Sequence, residues 1–291
     1  MLYQLFTIVV PVFICAAIGF FWAKSGRHYD TEMVTSLVSA IGVPALVLST
    51  LLTVDIDISA LGQMAGVTVG FLVVVAIAGY FLLKVMNYSV RSYLPALVFP
   101  NTGNVGIPLS LFAFGAEGMA LAVAYFSVCI VFQFTVGVAI SSGSASPQAL
   151  LRVPTLWAVV LAVVLMSLGV QLPEWTMNTI ELLAGFTIPL MLITLGISLQ
   201  RLQVSTYGKT VLISIFRLAI GFGVSLAIAE ALGLEGVMRG VFVLQSTLPV
   251  AVFNYLFAQK YNTDPETVAG SVVLSTVMSF ASLPLLLWFL L

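Results

Sequence analysis

Runs of about twenty apolar residues recur along this chain, separated by short polar connections, and that spacing dictates the class of fold. Hydrocarbon offers no water to the backbone, so a spanning segment must be a self-satisfied helix or a strand of a closed barrel. Twenty residues match a helix, which rises about 1.5 Å per residue across a core of roughly 30 Å. Ten spans are predicted, with cores at 3–23, 32–53, 60–84, 92–115, 118–140, 153–171, 176–199, 207–231, 237–259 and 266–290. With 61% hydrophobic and 7% charged residues, the chain cannot clothe a soluble surface, which needs about a quarter charged. The expected fold class is an all-α polytopic membrane protein in contact with the lipid bilayer. A net charge of -1 argues against a nucleic-acid partner. Cys15 and Cys129 lie in separate apolar spans and read as packing residues. The first apolar run begins at Leu2 with no basic residue before it and exceeds a signal-peptide core, so it reads as a retained span.

One span is interrupted. Residues 100–108 read PNTGNVGIP, placing Asn101, Asn104, Gly103 and Gly106 between two prolines in mid-segment. Proline removes a backbone donor and glycine loosens the helix, so the helix is expected to break there. A break in hydrocarbon survives only inside protein or beside a water-filled cavity, and broken helices mark the binding sites of secondary transporters. A second interrupted span, LQSTLPVAVFN around Pro249, lies half a chain later.

The basic residues set a direction. Lys24, Arg27, Lys84, Arg91, Arg152, Arg201, Lys209 and Lys260 fall in alternate connections, whereas Asp55, Asp57, Glu117, Glu174 and Glu235 fall in the others, with Arg239 as the one basic residue among them. By the positive-inside rule the odd-numbered connections are cytoplasmic and both termini face outward. The halves also repeat. Pro44 matches Pro189 at 145 residues' separation, and Pro108 matches Pro249 at 141. Five spans per repeat force opposite orientations, an inverted repeat with crossing broken helices. The expected organisation is 1–140 and 153–291 as five-helix repeats, joined by a cytoplasmic linker at 141–152.

The stretch PNTGNVGIP, together with LPVAVFNYLFAQKYNTDPE at 248–266 and the SLP of the last span, resembles the auxin efflux carrier family. The resemblance implies helices four and nine crossing at Pro108 and Pro249, a fold akin to bile-acid symporters and sodium-proton antiporters, and an elevator-like alternating-access motion. It implies transport of small organic anions, auxin or dicarboxylates such as malonate and malate, and a plausible homodimer. The short Ser141–Arg152 linker, in place of the plant carriers' long loop, points to a short bacterial carrier of the inner membrane. The alternatives are a sodium-coupled carrier of a bulkier amphipathic anion, resembling the bile-acid symporters, and a channel or receptor. An intramembrane enzyme would need a Ser/His or Asp pair or a metal site at depth, and the sequence carries none.

The residues themselves nominate a site. Asn101, Thr102 and Asn104 offer oxygens and amide donors, Gly103 and Gly106 allow close approach, and a half-helix N-terminus seats a carboxylate. Pro108 and Pro249 shape the breaks, and Gln245, Ser246, Thr247 and Asn254 flank the second. Ser49, Thr50 and Thr194 are weaker candidates near Pro44 and Pro189. Arg217, about 15 Å into its span, is a costly buried charge, expected either to balance an anion or to pair with Glu181 or Glu230. Glu181 could carry a coupling proton. Gln133 and Gln63 are expected to hydrogen-bond between helices, and His28 to lie at the surface. No phosphate-binding loop or Cys/His cluster appears, so neither direct ATP drive nor a zinc site is expected. No cofactor is implied beyond a coupling ion, proton or sodium.

Overall fold

The structure, a computed structural model, describes residues 2–144, 151, 153–202 and 207–291. Residues 145–150 and Arg152 of the expected linker lie outside the described residues. Among the described residues every extended element is helical. They are α1 (Leu2–Lys24), α2 (Thr31–Thr53), α3 (Ile58–Val85), α4 (Val90–Val98), α5 (Thr102–Ser142) and α6 (Pro154–Leu168). The second half comprises α7 (Glu174–Arg201), α8 (Tyr207–Ala231), α9 (Gly236–Ser246), α10 (Val252–Tyr261) and α11 (Pro265–Leu290). Seven helices, namely α1, α2, α3, α5, α7, α8 and α11, are long and apolar enough to cross a membrane. Each predicted apolar core falls on helix, two of them (92–115 and 237–259) in two pieces. Phe6, Ile77, Phe81, Leu182 and Leu285 point outward, as a protein solvated by lipid tails requires.

Helix ends are built from the few polar residues the connections carry. The carboxylates of Asp30, Asp57 and Asp264 accept the N–H groups of Met33 at 2.9 Å, Ser59 at 2.9 Å and Thr267 at 3.3 Å, each satisfying an orphan donor of the first turn. The Ser59 amide holds the Asp57 carboxyl below its ordinary pKa. Burial pushes the Asp264 carboxyl up, but hydrogen bonds from Tyr93 and Thr267 prevail and hold it below its ordinary value. The Tyr93 hydroxyl donates to Asp264 and so ties the start of α11 to α4. At 41 residues α5 is about twice the length a bilayer needs. It kinks at Gly115, whose φ of 69° and ψ of -157° suit only glycine, and divides into arms 102–114 and 116–142.

Packing sorts the helices into two sets. In one, α1 lies along the later part of α7, and α2 packs on α6 and the earlier part of α7. In the other, α3 packs on α4 and α5, α8 on α11, α9 on α5 and α10 on α11. The α1–α7 seam is close because Gly196 lies against the α1 backbone: a Cβ there would fall 1.8 Å from the Ala16 carbonyl oxygen. Small residues are what let membrane helices approach this closely. Gly196→Ala should therefore force the two helices apart and cost about 1–3 kcal/mol of stability. Gly208→Ala, with nothing within 4 Å of the added carbon, should be neutral, and thermal unfolding of the purified variants in detergent checks the contrast.

Candidate functional site

The α4–α5 and α9–α10 breaks lie side by side, and each supplies what the other lacks. Pro100 has no N–H to give, and the chain runs non-helically from Phe99 to Asn101. Opposite it runs the segment from Thr247 to Ala251. The two form a short antiparallel bridge between Pro100 and Val250. Asn101 donates its N–H to the Pro249 carbonyl at 2.8 Å, and Ala251 donates to Phe99 at 3.2 Å. Side chains complete the seal. Ser275 accepts the Val250 N–H at 3.0 Å, and Asn254 donates to the Phe99 carbonyl at 3.1 Å while accepting from Gln133 at 3.1 Å. Backbone freed by the breaks is thus satisfied inside protein, as the membrane interior demands. The first break centres on Pro100, not on Pro108. Pro108 is buried within α5, just past the π-helical turn at Thr102–Gly106.

Crossing two broken helices creates four half-helix ends, and the structure separates them by sign. The two C-terminal ends meet Arg217. Its guanidinium, fully buried in α8, donates to the carbonyls of Leu97 at 2.6 Å, Val98 at 3.3 Å and Leu248 at 3.1 Å, and to that of Ser246. A helix C-terminus carries about half a negative charge, so two of them roughly balance one guanidinium. The expected carboxylate partners are elsewhere. Glu230 pairs with Arg239 at 3.2 Å, and Glu181 faces outward from α7, away from the crossing.

The two N-terminal ends border a cavity of about 760 Å³. Asn101, Thr102, Gly103 and Asn104 line it from the start of α5, and Ala251, Val252 and Phe253 from the start of α10. First-turn N–H groups have no intrahelical acceptor, so both ends present donors and partial positive charge. Asn101 is only 4% exposed, and its amide nitrogen has no hydrogen-bond partner. The facing wall comes from α2 and α7, with Glu32, Ser39, Thr194, Ser198 and Arg201, while Phe126, Ile130 and Met191 add apolar surface. Three π-helical turns, at Val38–Gly42, Thr102–Gly106 and Gln133–Gly137, each contribute lining residues. Such turns widen the helix locally and concentrate at functional sites.

Of the residues nominated from sequence, Asn101, Thr102, Gly103 and Asn104 come together on the cavity, joined by Thr194 and Gln133. The others support the crossing from behind. Gln245 donates to Ser110 at 3.3 Å and packs against Gly106; the Ser246 hydroxyl meets that of Tyr125 at 2.9 Å; Thr247 donates to the Val243 carbonyl at 2.8 Å. Pro249 and Asn254 hold the bridge, and Ser49 only accepts a bond from Thr53 within α2. His28 is exposed, as expected; Gln63 is exposed too, on the outside of α3 and not between helices as its polarity suggests. Glu32 and Arg201 also line the cavity, which sequence reasoning misses because charges at span ends read as solvated. Arg201 donates to Thr31 at 2.7 Å and to the Tyr29 carbonyl at 2.9 Å, which fixes it at the end of the cavity away from the crossing.

A bundle of apolar helices with two broken ones paired beside a cavity is the architecture of a membrane transport protein. The family described as Membrane transport protein matches residues 141–288, half of the chain, and the chain belongs to this family, that of the auxin efflux carriers. It is 24% identical over 227 residues to an uncharacterized transporter of Methanocaldococcus jannaschii, covering 73% of this chain and 72% of that protein. To an uncharacterized transporter of Methanothermobacter thermautotrophicus it is 30% identical over 197 residues, 65% of each chain. To auxin efflux carrier component 2 of Oryza sativa subsp. japonica it is 26% identical over 116 residues, 38% of this chain and 18% of that one.

Asn254→Ala should orphan the Gln133 amide, at about 1–3 kcal/mol for a buried group left unpaired, and leave the Phe99 carbonyl with the Ala251 N–H alone. Detergent-solubilised Asn254→Ala should melt well below the parent, whereas His28→Ala should melt with it.

Proposed function

We propose that this chain is a secondary active carrier of small organic anions, mono- or dicarboxylates of the malonate, malate or auxin type. The observation that carries the reading is the convergence of two half-helix N-termini and the unpaired Asn101 amide on one cavity. A carboxylate there accepts first-turn N–H groups and the Asn101 amide, while the apolar walls take the body of the substrate. The opposing C-terminal ends at the crossing, those of α4 and α9, are met by Arg217, which leaves the N-terminal ends of α5 and α10 to the substrate.

The working cycle is alternating access of elevator type. Ten helices form two inverted five-helix repeats, and the set containing the crossing moves as a body against α1, α2, α6 and α7. The cavity lies along that boundary, so sliding one set past the other carries the site across the membrane. With the basic connections cytoplasmic, the end at Arg201 and Glu32 opens to the cytoplasm and both termini lie outside. The protein acts in the cytoplasmic membrane, as a homodimer, and the gradient of a proton or sodium ion supplies any coupling. A second reading, a sodium-coupled carrier of a bulkier amphipathic anion, draws on the size and apolar walls of the same cavity.

Reconstituted into proteoliposomes, the protein should take up radiolabelled malonate or malate saturably and show counterflow, with pH and sodium gradients imposed separately. Asn101→Ala removes a hydrogen bond to a charged ligand, worth about 1.5–3 kcal/mol, so uptake should fall roughly ten- to a hundredfold. Non-saturable flux without counterflow would replace the carrier with a channel. Uptake of bile-acid-like anions but not dicarboxylates, driven by sodium, would favour the second reading.

A further inference from the structure

The crossing carries a feature that reaches past substrate binding to the coupling ion. Four backbone carbonyl oxygens, from Leu97 and Val98 at the end of α4, from Ser246 at the end of α9 and from Leu248 just beyond it, converge on one centre. Oxygen-only donor sets of this kind suit hard cations, and the C-terminal ends of broken helices serve as cation ligands in membrane carriers. Here the centre is filled by the guanidinium of Arg217, from a third helix. Gly221, one turn further along α8, leaves room for it: a Cβ at that position would fall 2.9 Å from Arg217 Nη2 and 2.3 Å from the Ser246 carbonyl oxygen. The partners of Arg217 are these carbonyls, and Glu230 is engaged by Arg239, so the charge of Arg217 is met by the carbonyls and the two helix dipoles.

We infer that Arg217 is a tethered counter-cation, occupying what would otherwise be a monovalent-cation site at the crossing, so that the carrier binds no sodium there. This rests on the carrier reading above and narrows its coupling ion. Four carbonyls committed to a guanidinium have little left for a mobile ion, and a sodium ion beside them would face a fixed like charge. Being covalently held, the guanidinium does not dissociate between states. It travels with the two helices it joins, and the charge of the crossing is the same on both sides of the membrane.

The test needs no substrate, so it can succeed or fail whether or not carboxylates are taken up. The full chain, purified in detergent, is melted in sodium, lithium, potassium or choline chloride at constant ionic strength. The parent should melt at the same temperature in all four; a saturable, sodium-specific rise would overturn the inference. Arg217→Ala empties the cage and should lower Tm by on the order of 10 °C, with part of the loss recovered by millimolar methylguanidinium or sodium that leaves the parent unmoved. An Arg217→Ala protein that folds and responds to no added cation would also overturn it. If that variant fails to fold, Gly221→Ala, which crowds the guanidinium but leaves it in the cage, supplies the second arm. It should melt lower than the parent and remain indifferent to sodium, and a sodium-dependent Tm in Gly221→Ala would contradict the tethered-cation role.

Discussion

The bond set between Arg217 and the carbonyls of Leu97, Val98, Ser246 and Leu248 is what the rest of the structure depends on. Two helices cannot stop in mid-membrane with their carbonyls bare, since each unsatisfied group costs several kcal/mol there. One guanidinium, with five donors in a rigid fork, answers four of those carbonyls and neutralises two dipole ends together. Removing it would leave the broken helices without their common partner. The buried arginine is therefore the condition under which α4 and α9 can end where they do.

With the C-termini occupied, the N-termini are released for work. The bridge from Asn101 to Pro249 and from Ala251 to Phe99 aligns the starts of α5 and α10 along one cavity. The asymmetry is electrostatic: negative ends face a fixed cation inside protein, and positive ends face open space. Asn101 stands at the boundary, its backbone spent on the bridge and its amide nitrogen unspent. The three π-helical turns around the cavity loosen the helices where a ligand and a moving wall would need room.

Much of this is legible in the residues. Apolar windows place the helices, because a bilayer permits no other use of twenty uncharged residues. Proline, glycine and asparagine between 100 and 108 announce a break, and Asn101 and Asn104 both line the cavity beside it. The break itself lies at Pro100, at the start of the stretch expected to break, while Pro108, the crossing point that the resemblance implies, lies within α5. Arg217 stands out as costly, but its partners are carbonyls, which leave no trace in a residue string. Gln245, Ser246 and Thr247 are as polar as the cavity residues, yet they turn into the bundle. Glu181, which by its place within a span could carry a coupling proton, is exposed, and its distance along the chain from the breaks gives no sign of that.

The most direct measurement is a cryo-EM map of the protein in saturating malonate. Ligand density is expected between the N-terminal turns at Thr102–Asn104 and Val252, within hydrogen-bonding distance of the Asn101 amide, with Arg217 still bound to its carbonyls. Density at Arg201 alone, or a guanidinium that leaves the crossing to meet the ligand, would contradict the division of labour between the two pairs of helix ends.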